Sequence, residues 1–217
     1  MSKIILFQGD SITDCGRNRD SDLYRGGGTG YPTMVSGLLG AKEPYRYTFY
    51  NRGISGNRVV DLYARIRIDM INLKPDYISI LIGINDVWHE YSHKNGVDAE
   101  KFEMVYNLLI EELKRDLPDV KIMILEPFVL PGCATKSDAE NPDRWEFFVK
   151  ETALRREAAR RVAEKQNILF VPLQELFDKA NVDAPNDQYW LVDGVHPSPA
   201  GHELIKNAWL EAFEKLQ

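Results

Sequence analysis

Five short apolar runs, spread along the chain and separated by stretches of different periodicity, restrict what this sequence can fold into. They are residues 3–7 (KIILF), 47–50 (YTFY), 77–82 (YISILI), 121–125 (KIMIL) and 168–171 (ILFV). Three of them are almost continuously apolar, as a strand must be when helices cover both faces of its sheet. Four other segments repeat apolar residues at helical spacing. Residues 59–71 do so through Val59, Leu62, Tyr63, Ile66 and Met70, and residues 102–113 through Phe102, Val105, Leu109 and Leu113. Residues 145–165 carry a strongly charged face with Arg155, Arg156, Arg160 and Arg161. Residues 199–216 place Leu204, Ile205, Ala208, Trp209 and Phe213 on one stripe, which suits either a core helix or a contact in a homo-oligomer. Strand–helix alternation of this kind predicts an α/β fold, a three-layer α/β/α arrangement around a five-stranded parallel sheet. Five strands suggest the flavodoxin-like order. No repeat, low-complexity tract or linker interrupts residues 1–217, which read as one domain. The Pro/Gly-bearing stretches 25–32, 128–142 and 181–188 read as surface loops.

Charge and composition exclude several functions. The 27 basic and 33 acidic residues leave a net charge of −6. That gives no electrostatic case for nucleic acid or an anionic membrane as a partner. Cys15 and Cys133 form no CxxC pair and no zinc set, so a structural metal is not expected. The run at residues 4–7 is far too short for a signal-peptide core, and no apolar stretch approaches a membrane span. The chain reads as soluble and cytoplasmic. Gly26-Gly27-Gly28-Thr29-Gly30 lacks the lysine of a P-loop and reads as a flexible loop lining a site. Cys15 reads as a small buried residue, and His89, His93 and His202 as helix or loop residues rather than ligands.

In an open parallel sheet, ligands bind outside the carboxyl ends of the strands. Three groups of polar residues directly follow strands, and a fourth lies in a late loop able to reach the same edge. Gly9-Asp10-Ser11 ends the first strand, where Gly9 permits a tight turn into a helix. Free amides of that helix would point at an anion formed on a group bonded to Ser11. The tripeptide alone is more simply a helix N-cap. Asn51-Arg52-Gly53 follows the second strand and offers the Gly53 N–H. Gly83-Ile84-Asn85-Asp86 follows the third, and its Asn85 amide donates hydrogen bonds without carrying charge. Turns and caps explain each of these equally well in isolation. Asp193-Gly194-Val195-His196-Pro197 spaces a carboxylate so that it can fix an imidazole tautomer and stabilise the imidazolium.

Together and in this order, Gly9-Asp10-Ser11, Gly53, Gly83-x-Asn85-Asp86 and Asp193-x-x-His196 resemble the blocks of the SGNH (GDSL) hydrolases, over almost the whole chain. The resemblance implies the SGNH hydrolase fold and a metal-free serine esterase that needs no cofactor. It makes Ser11 the nucleophile, His196 the general base and acid, and Asp193 its orienter. It makes the Ser11 N–H, the Gly53 N–H and the Asn85 side chain the oxyanion donors. The wording of residues 9–16 (GDSITDCG), 51–57 (NRGISGN), 82–88 (IGINDVW) and 195–202 (VHPSPAGH) is similar to bacterial acetylxylan esterases of this class. An oligosaccharide or small-molecule acetyl ester is the substrate this implies. Trp88, Tyr189 and Trp190 are candidates to stack on a sugar, and Asp10 is a further substrate-binding candidate. A lysophospholipase or thioesterase on the same scaffold is the alternative.

Overall fold

The computed structural model describes residues 2–19 and 26–217. Arg25, at the start of the first loop expected from the sequence, lies outside the described residues. Five strands form one sheet: β1 (Lys3–Gly9), β2 (Tyr47–Asn51), β3 (Tyr77–Leu81), β4 (Lys121–Leu125) and β5 (Leu169–Val171). Every neighbouring pair is parallel and the order is β2-β1-β3-β4-β5, the flavodoxin-like arrangement. Their carboxyl ends therefore share one edge.

Among the described residues, nine helices accompany the strands: α1 (Ser11–Asp14), α2 (Tyr31–Lys42), α3 (Val59–Ala64), α4 (Ile66–Asp69), α5 (Ile84–His93), α6 (Ala99–Asp116), α7 (Arg144–Gln166), α8 (Gln174–Asn181) and α9 (Pro199–Leu216). Two cores result, because alternate strand residues face opposite ways. Leu6, Ile78, Ile80 and Ile122 pack on α3, α6 and α7 in a mostly aliphatic core. Ile5, Phe7, Met123 and Leu125 pack on α2, α8 and α9 in an aromatic one. Trp209 and Phe213 of α9 are buried there, stacked 4.8 Å apart, and Trp209 also lies against Phe7. The stripe on the last helix is thus core, each large side chain worth about 1.5–3 kcal/mol, and not an exposed oligomer face.

The structure corrects three other expectations. Residues 59–71 are not one helix. Arg65 leaves helical geometry (φ −111°, ψ 15°), ending α3 and starting α4, and a 3-10 turn (Ile71–Leu73) follows. Its guanidinium reaches sideways to the Arg52 and Gly9 carbonyls, the Gln8 side chain and Asp69. Second, α2, α5 and α8 carry no helical signal in the reading above. Third, two of the three expected surface loops are not superficial. Gly26, Gly30, Tyr31 and Pro32 are buried, with the last two already in α2. Phe128, Val129 and Leu130 are buried as well, whereas most of 181–188 is exposed. Among the described residues, no helix is long and apolar enough to cross a membrane.

Candidate active site

β1 brings Gly9 to the carboxyl edge, paired in register with Leu81. A Cβ on Gly9 would stand 2.4 Å from both the Leu81 carbonyl oxygen and Thr13 Oγ1. Glycine is therefore required at this turn for space. Asp10 caps α1: its Oδ1 accepts the Ile12 N–H at 3.0 Å. The cap thus falls on Asp10 and leaves Ser11 as the first helical residue with its hydroxyl uncommitted. Ser11 Oγ lies 2.9 Å from His196 Nε2.

The other half of this contact comes from the loop between α8 and α9. Asp193 Oδ2 is 2.7 Å from His196 Nδ1, while Oδ1 accepts the Val195 and His196 N–H groups at 2.9 and 2.8 Å. Burial pushes the Asp193 carboxyl up, but His196 and the two backbone donors outweigh it and hold the group below its ordinary value. The hydrogen bond that His196 donates to Asp193 raises the imidazole above its usual value, against desolvation. An ionised Asp193 fixes the proton on Nδ1, leaving Nε2 to accept from Ser11 Oγ. The loop is braced by the segment 130–135. Leu130 N–H donates to the Gly194 carbonyl and Ala134 N–H to the Asp193 carbonyl, both at 2.9 Å.

The expected anion donors converge on the same edge, with one change. Ser11 N–H is the first amide of α1 and has no intrahelical acceptor. Asn85, in the first turn of α5, is buried and donates one Nδ2 hydrogen to the Asn57 carbonyl at 3.2 Å, leaving its second. The Gly53 N–H is not free: it donates to Asn51 Oδ1 at 2.9 Å. Asn51 is a residue the sequence reading missed. Its Nδ2 also donates to the Thr13 and Gly27 carbonyls at 2.6 and 2.9 Å, so it fastens three chain segments behind Ser11. Asp14 was missed too; Oδ2 accepts from the Ser55 N–H at 3.0 Å. The only sequence signal for either was its place beside a block.

The substrate-contact candidates divide. Trp88 is half-buried, with its ring 6.0 Å from that of His196 and edge-on to Phe148. Tyr189 is 43% exposed and edge-on to Trp190. The Trp190 indole is tied by Nε1 to the Ala180 carbonyl at 2.8 Å, an anchor for the end of α8. Asp10 is 1% exposed and faces the interior, which removes it from the residues that can touch a ligand. Cys15 is half-buried rather than buried, with Sγ 3.4 Å from His202 Nε2. His202 accepts the Tyr31 N–H on Nδ1, and burial lowers it to about 4, so it is neutral near pH 7. Among the described residues, no group of three His, Cys, Asp or Glu side chains is arranged to hold a metal.

Comparison with known proteins agrees with this layout. The model of the GDSL-like Lipase/Acylhydrolase family matches residues 7–204, from β1 into α9. An acetylxylan esterase of Geobacillus stearothermophilus is 39% identical over 215 residues, 95% of this chain and 91% of the relative. The crystal structure of the Geobacillus stearothermophilus acetylxylan esterase Axe2 superposes with a TM-score of 0.80 at 36% identity, covering 97% of this chain and 93% of that one. A GDSL-like protein of Parabacteroides merdae gives a TM-score of 0.89 at 39% identity, over 99% of this chain and 97% of that one. The chain belongs to the GDSL-like lipase/acylhydrolase family and is a carboxylic ester hydrolase.

Proposed function

We propose that this esterase removes small acyl groups, acetyl foremost, from carbohydrate hydroxyls through a Ser11–His196–Asp193 triad. The observation that carries the reading is the unbroken line of hydrogen bonds from Ser11 Oγ through the imidazole to Asp193. Two solved variants of the Geobacillus stearothermophilus acetylxylan esterase support the residue types. One, with serine changed to alanine, and one, with histidine changed to alanine, are described as catalytic mutants of that protein. The half-buried Trp88 ring, 6.0 Å from that of His196, is the aromatic best placed to meet a sugar at this site.

In the first half-reaction Ser11 Oγ attacks the ester carbonyl as its proton passes to His196 Nε2. Asp193 stabilises the imidazolium. The negative oxygen meets the Ser11 N–H and the second Asn85 hydrogen, with the Gly53 N–H shared against Asn51 Oδ1. One such donor is worth about 10²–10³ in kcat. His196 then protonates the departing sugar oxygen. Water, deprotonated by the same imidazole, releases the acid from Ser11. Ser11→Ala is expected to lower kcat on p-nitrophenyl acetate by about 10⁴ or more with an unchanged melting temperature. A rate near that of the parent would overturn the nucleophile. An acyl-chain series is expected to peak at acetyl on acetylated xylo-oligosaccharides. Rates that climb with chain length would replace the carbohydrate reading by a lipid or thioester one.

A further inference from the structure

Residues 89–93 spell His-Glu-Tyr-Ser-His, the H-E-x-x-H spacing by which a helix presents two imidazoles to one zinc ion. The pentapeptide carries meaning only where it lies on a helix with both rings on one face. Read singly, His89 and His93 are plain helix residues. The structure pairs them. Both stand in the last turns of α5, four positions apart and so neighbours on its surface. Their rings meet edge-on, with centroids 6.0 Å apart and planes at 69°. His89 is half-buried and His93 exposed.

The chain has four histidines, and these two differ from the others in what their nitrogens do. His196 is engaged on both sides, by Asp193 at Nδ1 and Ser11 at Nε2. His202 is engaged likewise, by the Tyr31 N–H at Nδ1 and Cys15 Sγ at Nε2. Neither His89 nor His93 makes a hydrogen bond to any described residue. An ion about 2.0–2.1 Å from one nitrogen of each ring would set the centroids about 5 Å apart. The remaining closure of about 1 Å needs only rotation of the exposed His93 side chain.

The neighbouring groups limit what such a site does. Glu90 Oε2 accepts the Gly96 N–H at 3.1 Å, and a Cβ on Gly96 would stand 2.4 Å from Glu90 Cβ. The glutamate that serves as general base in zinc hydrolases with this motif is here tied to backbone. Arg58 reaches the same end of α5 through the Asn95 carbonyl at 2.6 Å, and its Nε and Nη2 hold Asp61, so its charge is paired. Among the described residues no third His, Cys, Asp or Glu completes a metal set. Water fills the other positions of an ion bound there, which makes the site open and exchangeable.

We infer that His89 and His93 form a two-imidazole site for a divalent transition-metal ion of the zinc class, apart from Ser11 and without hydrolytic chemistry of its own. Imidazole nitrogen selects Zn, Ni and Cu over Mg and Ca. The ion ties together the last turn of α5, which Lys94 closes in left-handed backbone (φ 52°) that non-glycine residues seldom adopt.

The test titrates the whole, untagged protein with Zn2+, by calorimetry and by NMR of the histidine rings. One ion per chain is expected, with a melting temperature that rises with Zn2+ concentration. The ring signals of His89 and His93 should move together, while those of His196 and His202 stay in place. His93→Ala should weaken the affinity on the order of 10²-fold, the loss of the second arm of a chelate. Its metal-free melting temperature and its rate on p-nitrophenyl acetate should match the parent. Glu90→Gln should bind Zn2+ as the parent does. Undiminished binding in His93→Ala, ring shifts at His196 instead of the pair, or no binding at millimolar Zn2+ would overturn the site. If His93→Ala fails to fold, the ring signals of the parent decide alone. None of these outcomes depends on the role of Ser11.

Discussion

The two halves of the site reach one sheet edge by different means. Ser11 stands two residues past an interior strand, on a four-residue helix fastened by side chains. Asn51 takes the Thr13 and Gly27 carbonyls, Arg65 the Gly9 carbonyl, and Asp14 the Ser55 N–H. His196 stands on a loop far from any strand and is held by backbone approach. Gly132 lies so close to Asp193 and Gly194 that a Cβ there would be 2.2 Å from the Asp193 carbonyl carbon and the Gly194 nitrogen. Many separate hydrogen bonds share the load on the serine side, so the loss of one is buffered. On the histidine side the Leu130 and Ala134 hydrogen bonds come with a tight steric fit at Gly132, and an added methyl there has nowhere to go.

The largest effect should come from breaking the histidine side chemically without moving it. In Asp193→Asn, Oδ1 can keep the Val195 and His196 N–H groups, but the amide NH2 now faces Nδ1. The imidazole then presents the wrong tautomer to Ser11, and kcat should drop by about 10⁴ with little change in melting temperature. Rate measurement with calorimetry checks it. A loss below about tenfold would mean that Asp193 does not orient His196.

Gly132→Ala should break the same side mechanically. The methyl meets backbone on Asp193 and Gly194, which cannot rotate away, so the 193–194 turn must shift. Displacing a catalytic group by about 1 Å costs on the order of 10² in rate, and the strained turn should lower the melting temperature as well. Wild-type kinetics would show that segment 130–135 is spectator to the site.

Sequence legibility follows the same division. The strands are visible because both faces of a parallel sheet are covered, making 77–82 and 121–125 nearly all apolar. The polar blocks are visible because they follow those strands. α2 is hidden: Tyr31, Val35 and Leu39 form a buried stripe, but Pro32, Gly37 and Gly40 dilute it. α5 does space Ile84, Val87, Trp88 and Tyr91 as a helix would, but it is short and its first turn is the Gly83-x-Asn85-Asp86 block, which reads equally well as a turn. The brace at 130–135 leaves no local trace, since its partner lies far along the chain. The burial of Asp10 and the capture of the Gly53 N–H by Asn51 also depend on distant segments. They turn a supposed ligand contact into a core residue and a supposed free donor into a shared one.

Asn51 gives the smallest and most discriminating test. Asn51→Ala removes three hydrogen bonds from a residue that is 7% exposed. Leaving the buried Thr13 carbonyl without a partner should cost about 1–3 kcal/mol, and the half-buried Gly27 carbonyl less, enough at this chain length to lower the melting temperature by several degrees. The catalytic effect should be far smaller than that of Gly132→Ala, for two reasons. Arg65 and Asp14 still hold the Gly9 and Ser55 backbones. The Gly53 N–H, released from Asn51 Oδ1, is then wholly available to the anion, which offsets some lost order with a better donor. The expected outcome is a clear drop in melting temperature with kcat lowered less than about tenfold. A loss of kcat as large as that of Gly132→Ala would show that Ser11 depends on one fastening as tightly as His196 does, and the contrast between the two sides would disappear.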